Sequence, residues 1–217
     1  MNEILDLFPT RLHINQHAND SITEEICSLV EYIQNEYVPT IHYNSEQNNN
    51  INLFETHKDK LVHFLEWHRS VVNEYVSHDK WEYSESWLNI YPTGGSQPIH
   101  NHVANDCQIS GCYYHNTTEE MGDLTFHHPN PYSDIDLWGC GDKTMWVKTY
   151  PSTTILFPSW LNHNTDNNAD EQSKISIGFN IQVGRIQTGI SGTWLGKDTV
   201  IHDRGYKTLD GRVYESS

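Results

Sequence analysis

The sequence predicts a mainly β fold: about eight short strands forming a sandwich or barrel, buttressed by two N-terminal helices. Two observations carry this. Beyond residue 80 the chain runs as short segments of alternating or apolar character, separated by turn residues, with no helical periodicity. Before residue 80, two stretches place apolar residues at helical spacing, and strands following a run of helices suggest helices packed on one face of a sheet.

Residues 1–20 read as an extended lead-in. Ser21-Ile22-Thr23-Glu24 has the capping-box pattern, and Ile26, Leu29, Val30 and Ile33 follow on one helical face that should end before Pro39. The Asn-rich residues 40–55 predict a surface loop. A second helix is expected over about 58–77, with Leu61, Phe64, Leu65, Val72 and Tyr75 on one side. The first strand starts at Trp81, where Trp87, Asn89 and Tyr91 share one parity, and Pro92-Thr93-Gly94-Gly95 turns the chain. Further strands are expected at 97–103, 108–115, 123–128, 144–150, 153–157, 161–165 and 174–183. With no repeat and no long linker, the chain divides into a lead-in with helices (1–80), a β core (81–183) and a glycine-bearing C-terminal wrap (184–217) within one domain.

Composition narrows the function. A formal charge of −16 argues against a broad basic face for nucleic acid or anionic membrane. No apolar run approaches the ~18 residues of a membrane span. The N-terminal residues lack a basic n-region and an h-region, so a cytoplasmic protein without a signal peptide is expected. Cys27, Cys107, Cys112 and Cys140 lack CxxC spacing and read as free thiols of a reducing compartment. Oligomeric state is not legible.

The chemistry concentrates in histidines. Successive alternate residues of a strand face the same way, so His100 and His102 could grip one cation together. Pro98 and Asn105-Asp106 confine that strand, and no large apolar side chain shares its inward parity. His163 follows an apolar strand and a Pro158-Ser159-Trp160 turn, at a strand end. Three such ligands would hold a metal on one side and leave positions open, as in non-haem iron oxygenases and related barrel metalloenzymes. His115, His127 and His128 read as structural or rim residues.

Lys174, Ser176, Gly178 and Asn180 alternate with Ile175, Ile177, Phe179 and Ile181. The polar set either faces solvent or lines a barrel, and in a barrel Lys174 would be a buried cation wanting an anionic partner such as a dicarboxylate. Ser176 could donate to the same carboxylate. Trp87, Asn89 and Tyr91, with Tyr113 or Tyr114, are either interior residues of the same barrel or plain core.

Six ordered blocks add a resemblance. Trp87-x-Asn89, Gln97-Pro98-Ile99-His100-Asn101-His102, Ser110-Gly111-Cys112-Tyr113-Tyr114, Leu124-x-Phe126-x-x-Pro129, Leu156-Phe157-Pro158-Ser159-Trp160-Leu161-x-His163 and Lys174-Ile175-Ser176-Ile177-x-Phe179-Asn180 are similar to 2-oxoglutarate/Fe(II)-dependent oxygenases of marine bacteria and their phages. These form the prolyl-4-hydroxylase-like branch of the double-stranded β-helix proteins, with a jelly-roll or cupin-like barrel. The resemblance covers about residues 81–183. It implies Fe(II) as cofactor, with 2-oxoglutarate and O2 as co-substrates. It also implies hydroxylation of an unidentified substrate, a protein side chain such as prolyl before a small molecule, and for a phage protein the host cytoplasm.

The family's metal motif is His-x-Asp/Glu followed by a distal His. By resemblance His100 is the first ligand and His163 the distal one. Lys174, eleven residues on, and Ser176 match the basic-x-Ser pair that binds the far carboxylate of 2-oxoglutarate, with Asn89 and Tyr113 as further co-substrate residues. No catalytic side chain beyond the ligands is implied. The departure is His102, which stands where the family has a carboxylate. The set is then either three histidines, which also suits Zn(II), or includes Asp106. Trp138, Trp146 and Trp160 are candidates for the substrate mouth. Two other readings remain open: a cupin-like metalloprotein that does not use 2-oxoglutarate, and a non-enzymatic β-sandwich module.

Overall fold

The computed structural model describes residues 10–36, 43–44, 52–76, 80–105, 107–129, 143–184, 199–202, 205–208 and 213–215. A six-stranded antiparallel sheet has the order β1-β8-β5-β10-β3-β2, from β1 (His13–Gln16), β2 (Tyr43–Asn44), β3 (Trp81–Tyr91), β5 (Ile109–Asn116), β8 (Thr153–Pro158) and β10 (Lys174–Val183). A four-stranded sheet has the order β4-β9-β6-β7, from β4 (Gln97–His100), β6 (Leu124–His127), β7 (Thr144–Val147) and β9 (His163–Thr165). β11 (Thr199–His202), β12 (Gly205–Thr208) and β13 (Val213–Glu215) pair in a third sheet. Two antiparallel sheets sharing a core make the expected jelly-roll, double-stranded β-helix architecture.

Period-two alternation builds two cores. From β10, Ile177, Phe179 and Ile181 point outward, with Leu88, Ile90, Ile109, Tyr113 and Leu156 of neighbouring strands. They meet the apolar faces of α1 (Asp20–Glu36), α2 (Leu53–Thr56) and α3 (Val62–Tyr75), whose Ile26, Leu29, Phe54, Phe64 and Val72 are buried against them. The opposite parity of β5, β6 and β8 supplies Tyr114, Leu124, Phe126, Ile155 and Phe157, which with Leu161 fill the space between the two sheets. Both faces of the large sheet are therefore covered. The polar set of β10 lines the interior rather than solvent.

Three elements depart from expectation. The lead-in contains β1, an edge strand held by β8. The 40–55 segment is not all surface loop: Tyr43–Asn44 pairs with β3, and Leu53 and Phe54 of α2 are buried at 1% and 2% exposure. Helix α1 begins one residue before the Ser21 box, at Asp20, and is capped by Asn19, whose Oδ1 accepts the Ser21 N–H at 3.0 Å. The start of α3 is capped from outside: Glu25 of α1 accepts the His63 and Phe64 N–H groups at 3.0 and 2.9 Å.

His68 of α3 ties the helices to the sheet. It is fully buried, its ring nitrogens 2.6 Å from Tyr83 Oη and 3.1 Å from Thr154 Oγ1. Burial, with the nearby Arg69 charge, pushes its pKa down to about 3. The unfolded chain takes the proton near the ordinary value of 6.5, so this neutral histidine's contribution is full above that pH and is lost as pH falls toward 3. Thermal midpoints are expected to fall from pH 7 to pH 4, and to fall less in His68→Phe; equal slopes would contradict this role.

Candidate active site

His100, His102 and His163 come together at the mouth of the space between the sheets, with one ligand atom from each within 4.8 Å of the others. The small sheet places two of them. His100 ends β4 and pairs directly with His163, the first residue of β9. His102 lies past the strand, because the ladder stops and its N–H bonds Ser159 O at 2.9 Å instead. The two histidines of the even-spacing argument thus meet His163, although the strand is shorter than expected.

Hydrogen bonding fixes two of the rings. Nδ1 of His100 is 2.8 Å from Pro98 O, and Nδ1 of His163 is 2.9 Å from Leu161 O. A carbonyl can only accept, so each Nδ1 carries the proton and each Nε2 offers a lone pair. Burial drives the His163 pKa down to about 3, against the raising influence of the Leu161 carbonyl. Burial and the His100 charge bring His102 down to about 4. Neutral imidazoles are the form a divalent cation needs. His102 stacks between the Trp87 indole (centroids 5.6 Å) and the His163 ring (5.3 Å), while Phe157 packs on His163 at 4.7 Å.

The triad opens on a cavity of about 200 Å³. Trp87, Asn89, Tyr91, Gln97, Cys112 and Tyr114 are among its walls, and among the described residues no Asp, Glu, Lys or Arg lines it. Lys174 and Ser176 are buried in the same layer without reaching the wall themselves. Lys174 Nζ donates to Gly122 O at 2.8 Å and lies 5.0 Å from the centre of the Tyr114 ring. Burial lowers its pKa to about 8, with Cys112, Asp123 and Asp166 opposing the shift. Among the described residues no carboxylate lies within ion-pair distance of it. The Tyr114 hydroxyl is buried beside the Cys112 thiol, with no oxygen or nitrogen partner among the described residues. A buried ammonium without a carboxylate beside such a hydroxyl fits an anionic oxygen acceptor such as a carboxylate.

Several expected residues sit elsewhere. Tyr113 does not belong to the cavity: strand parity turns it to the helices, where its hydroxyl meets His17 Nε2 at 3.0 Å. Its neighbour Tyr114 takes the interior place. Asp106 and Trp138 lie outside the described residues, as does Cys140. Trp146 and Trp160 are exposed and are not cavity walls. His127 bonds Asn164 Oδ1 and His115 lies against the Cys27 thiol, so neither joins the triad. Cys27 and Cys112 are free thiols.

Gly178 was given no role by the sequence, yet it shapes the floor. A Cβ there would lie 2.5 Å from the Trp87 ring, which rests flat across β10. Gly178→Ala is expected to displace the indole and the His102 ring stacked on it, costing about 1–3 kcal/mol of stability. Chemical denaturation with tryptophan fluorescence would show it; an unchanged midpoint and spectrum would contradict the contact.

Residues 85–180 match the family described as "Putative 2OG-Fe(II) oxygenase". This segment is a 2OG-Fe(II) oxygenase core. No curated protein sequence matches the chain. The oxygenase is similar in fold to the non-heme alpha ketoglutarate dependent epimerase SnoN from nogalamycin biosynthesis (TM-score 0.57, 8% identity, 86% of this chain and 87% of that one). It is also similar to a Pseudomonas putida prolyl-4-hydroxylase (0.51, 12%, 81% and 89%). A third likeness is to EvdO2 from Micromonospora carbonacea var. aurantiaca complexed with 2-oxoglutarate (0.55, 14%, 81% and 87%). At these identities the likeness shows the fold alone. A marine or phage origin has no support in these matches. Membership implies Fe(II) and 2-oxoglutarate for the oxygenase, and sets aside a non-enzymatic module. No helix among the described residues is long and apolar enough to cross a membrane.

Proposed function

We propose that the chain is a 2-oxoglutarate- and Fe(II)-dependent hydroxylase, with His100, His102 and His163 as its metal ligands. The observation that carries this is the convergence of three imidazoles, two with Nδ1 engaged by a carbonyl so that Nε2 is free to bind, on a cavity backed by Lys174 and the buried Tyr114 hydroxyl. Iron bound there with 2-oxoglutarate would supply oxidative decarboxylation by O2, one oxygen atom going to succinate as CO2 leaves and the other into a C–H bond of the substrate.

The chain's own residues bind, orient and exclude water. Three neutral imidazoles leave a divalent cation's charge uncompensated, and a dianionic chelate offsets it, which suits His102 in the carboxylate's place. Lys174, Ser176 and Tyr114 form the anchor for the far carboxylate, with Asn89 on the wall between anchor and triad. Nζ exchanges its Gly122 carbonyl for a charged acceptor on binding. Phe157, Leu124 and Trp87 supply the apolar part of a cavity wall that is otherwise polar.

The primary substrate is proposed by analogy, with a prolyl or other protein side chain ahead of a free small molecule. Purified protein supplied with Fe(II), ascorbate and 2-oxoglutarate should release succinate. Proline-containing peptides should stimulate that release and gain the mass of one oxygen atom. Succinate release with no peptide gain points to a small molecule. Metal binding with no succinate under any condition favours a cupin-like enzyme independent of 2-oxoglutarate.

A further inference from the structure

A second polar cluster lies behind the triad. Glu85 of β3 is half-buried, and its Oε2 accepts two carboxamide protons, from Asn105 Nδ2 at 2.8 Å and from Asn180 Nδ2 at 2.7 Å. Asn180 Oδ1 accepts the Ser110 hydroxyl at 2.7 Å, and both residues are shut off from solvent. Asn105 ends the 3-10 turn Val103–Asn105, and its backbone N–H donates to the carbonyl of His102 at 3.0 Å. A continuous chain of hydrogen bonds therefore runs from β5 through β10 and β3 to the residue that no strand holds.

His102 needs such support more than its partners do. The rings of His100 and His163 are each aimed by a bond from Nδ1 to a backbone carbonyl. Among the described residues no hydrogen bond aims the His102 ring, which is placed by stacking and by the course of its own turn. Glu85 is the one charged member of the chain, and bonds to a carboxylate are stronger than those between neutral groups.

We propose that Glu85 is a positioning residue of the metal centre: through Asn105 it fixes the turn that presents His102, the imidazole standing in the carboxylate's place. The proposal rests on the triad being the metal site. Groups outside the ligand set commonly control metal affinity by about 10- to 100-fold.

The test is titration with Co(II), followed by its visible absorption band, of wild type, Glu85→Ala, Glu85→Gln, Asn105→Ala and the Glu85→Ala/Asn105→Ala double variant. Thermal midpoints of the metal-free proteins are measured alongside. Glu85→Ala and Asn105→Ala should each weaken Co(II) about 10- to 100-fold and alter the band. The double variant should lose no more than either alone, because both act through one path. Glu85→Gln retains an oxygen acceptor and should fall between wild type and Glu85→Ala. Unchanged affinity and band with a lowered midpoint would reduce Glu85 to a structural residue and overturn the proposal, as would additive losses. If Glu85→Ala does not fold, Glu85→Gln and Asn105→Ala decide by the same readings. Failure of wild type to bind Co(II) would show separately that the triad reading itself is wrong, and the proposal would go with it.

Discussion

His163→Ala is expected to abolish metal-dependent turnover while leaving a folded barrel. His163 is the most tightly built in of the three proposed ligands: it is 5% exposed, bonded at Nδ1 to Leu161 O, and packed against Phe157 and His102. Its loss leaves two imidazoles, so the drop in metal affinity should exceed the roughly 10- to 100-fold typical of changes outside the ligand set. Its removal also takes away a buried group that folding holds neutral, so stability at mildly acidic pH should not fall with the activity. Metal content by elemental analysis, circular dichroism and succinate release check the three parts. Stoichiometric metal with retained turnover would remove His163 from the triad.

Lys174→Met is expected to separate co-substrate binding from folding. The ammonium is buried, its pKa held down to about 8 by desolvation, and it donates to the Gly122 carbonyl. Replacing it by an apolar chain of similar length relieves that desolvation, so the metal-free variant should melt no lower than wild type. The same change deletes the anchor for the far carboxylate. A charge-assisted hydrogen bond of about 1.5–3 kcal/mol corresponds to a rise of roughly 10- to 100-fold in the 2-oxoglutarate concentration required. Fe(II) affinity should stay nearly constant. An unchanged 2-oxoglutarate requirement would move the reading to a metalloenzyme that does not use this co-substrate.

Much of this architecture was legible in the alternation of single strands. Lys174, Ser176, Gly178 and Asn180 against Ile175, Ile177, Phe179 and Ile181 told which residues share a face. Alternation alone could not say which face was inward, because helices and the second sheet cover both. The same limit chose Tyr113 over Tyr114: two adjacent tyrosines, both fully buried, differ only in which core they enter. His102 was reached by spacing, although the turn that carries it leaves the strand at His100. Glu85 was out of reach because its partners stand 20 and 95 residues away, a proximity that only the β3–β10 pairing creates. β1 was missed because four residues with one large apolar side chain carry too little pattern to distinguish an edge strand from an extended lead-in.

The central claim is that one metal and one 2-oxoglutarate meet in this cavity. The direct test is an anaerobic titration with Fe(II) and then 2-oxoglutarate, read by the visible charge-transfer band of the chelate. The account predicts a saturable band at about one equivalent, absent in His163→Ala and displaced to higher 2-oxoglutarate in Lys174→Met. Iron binding with no band would contradict the co-substrate, and no binding of iron or any other divalent metal would contradict the site itself.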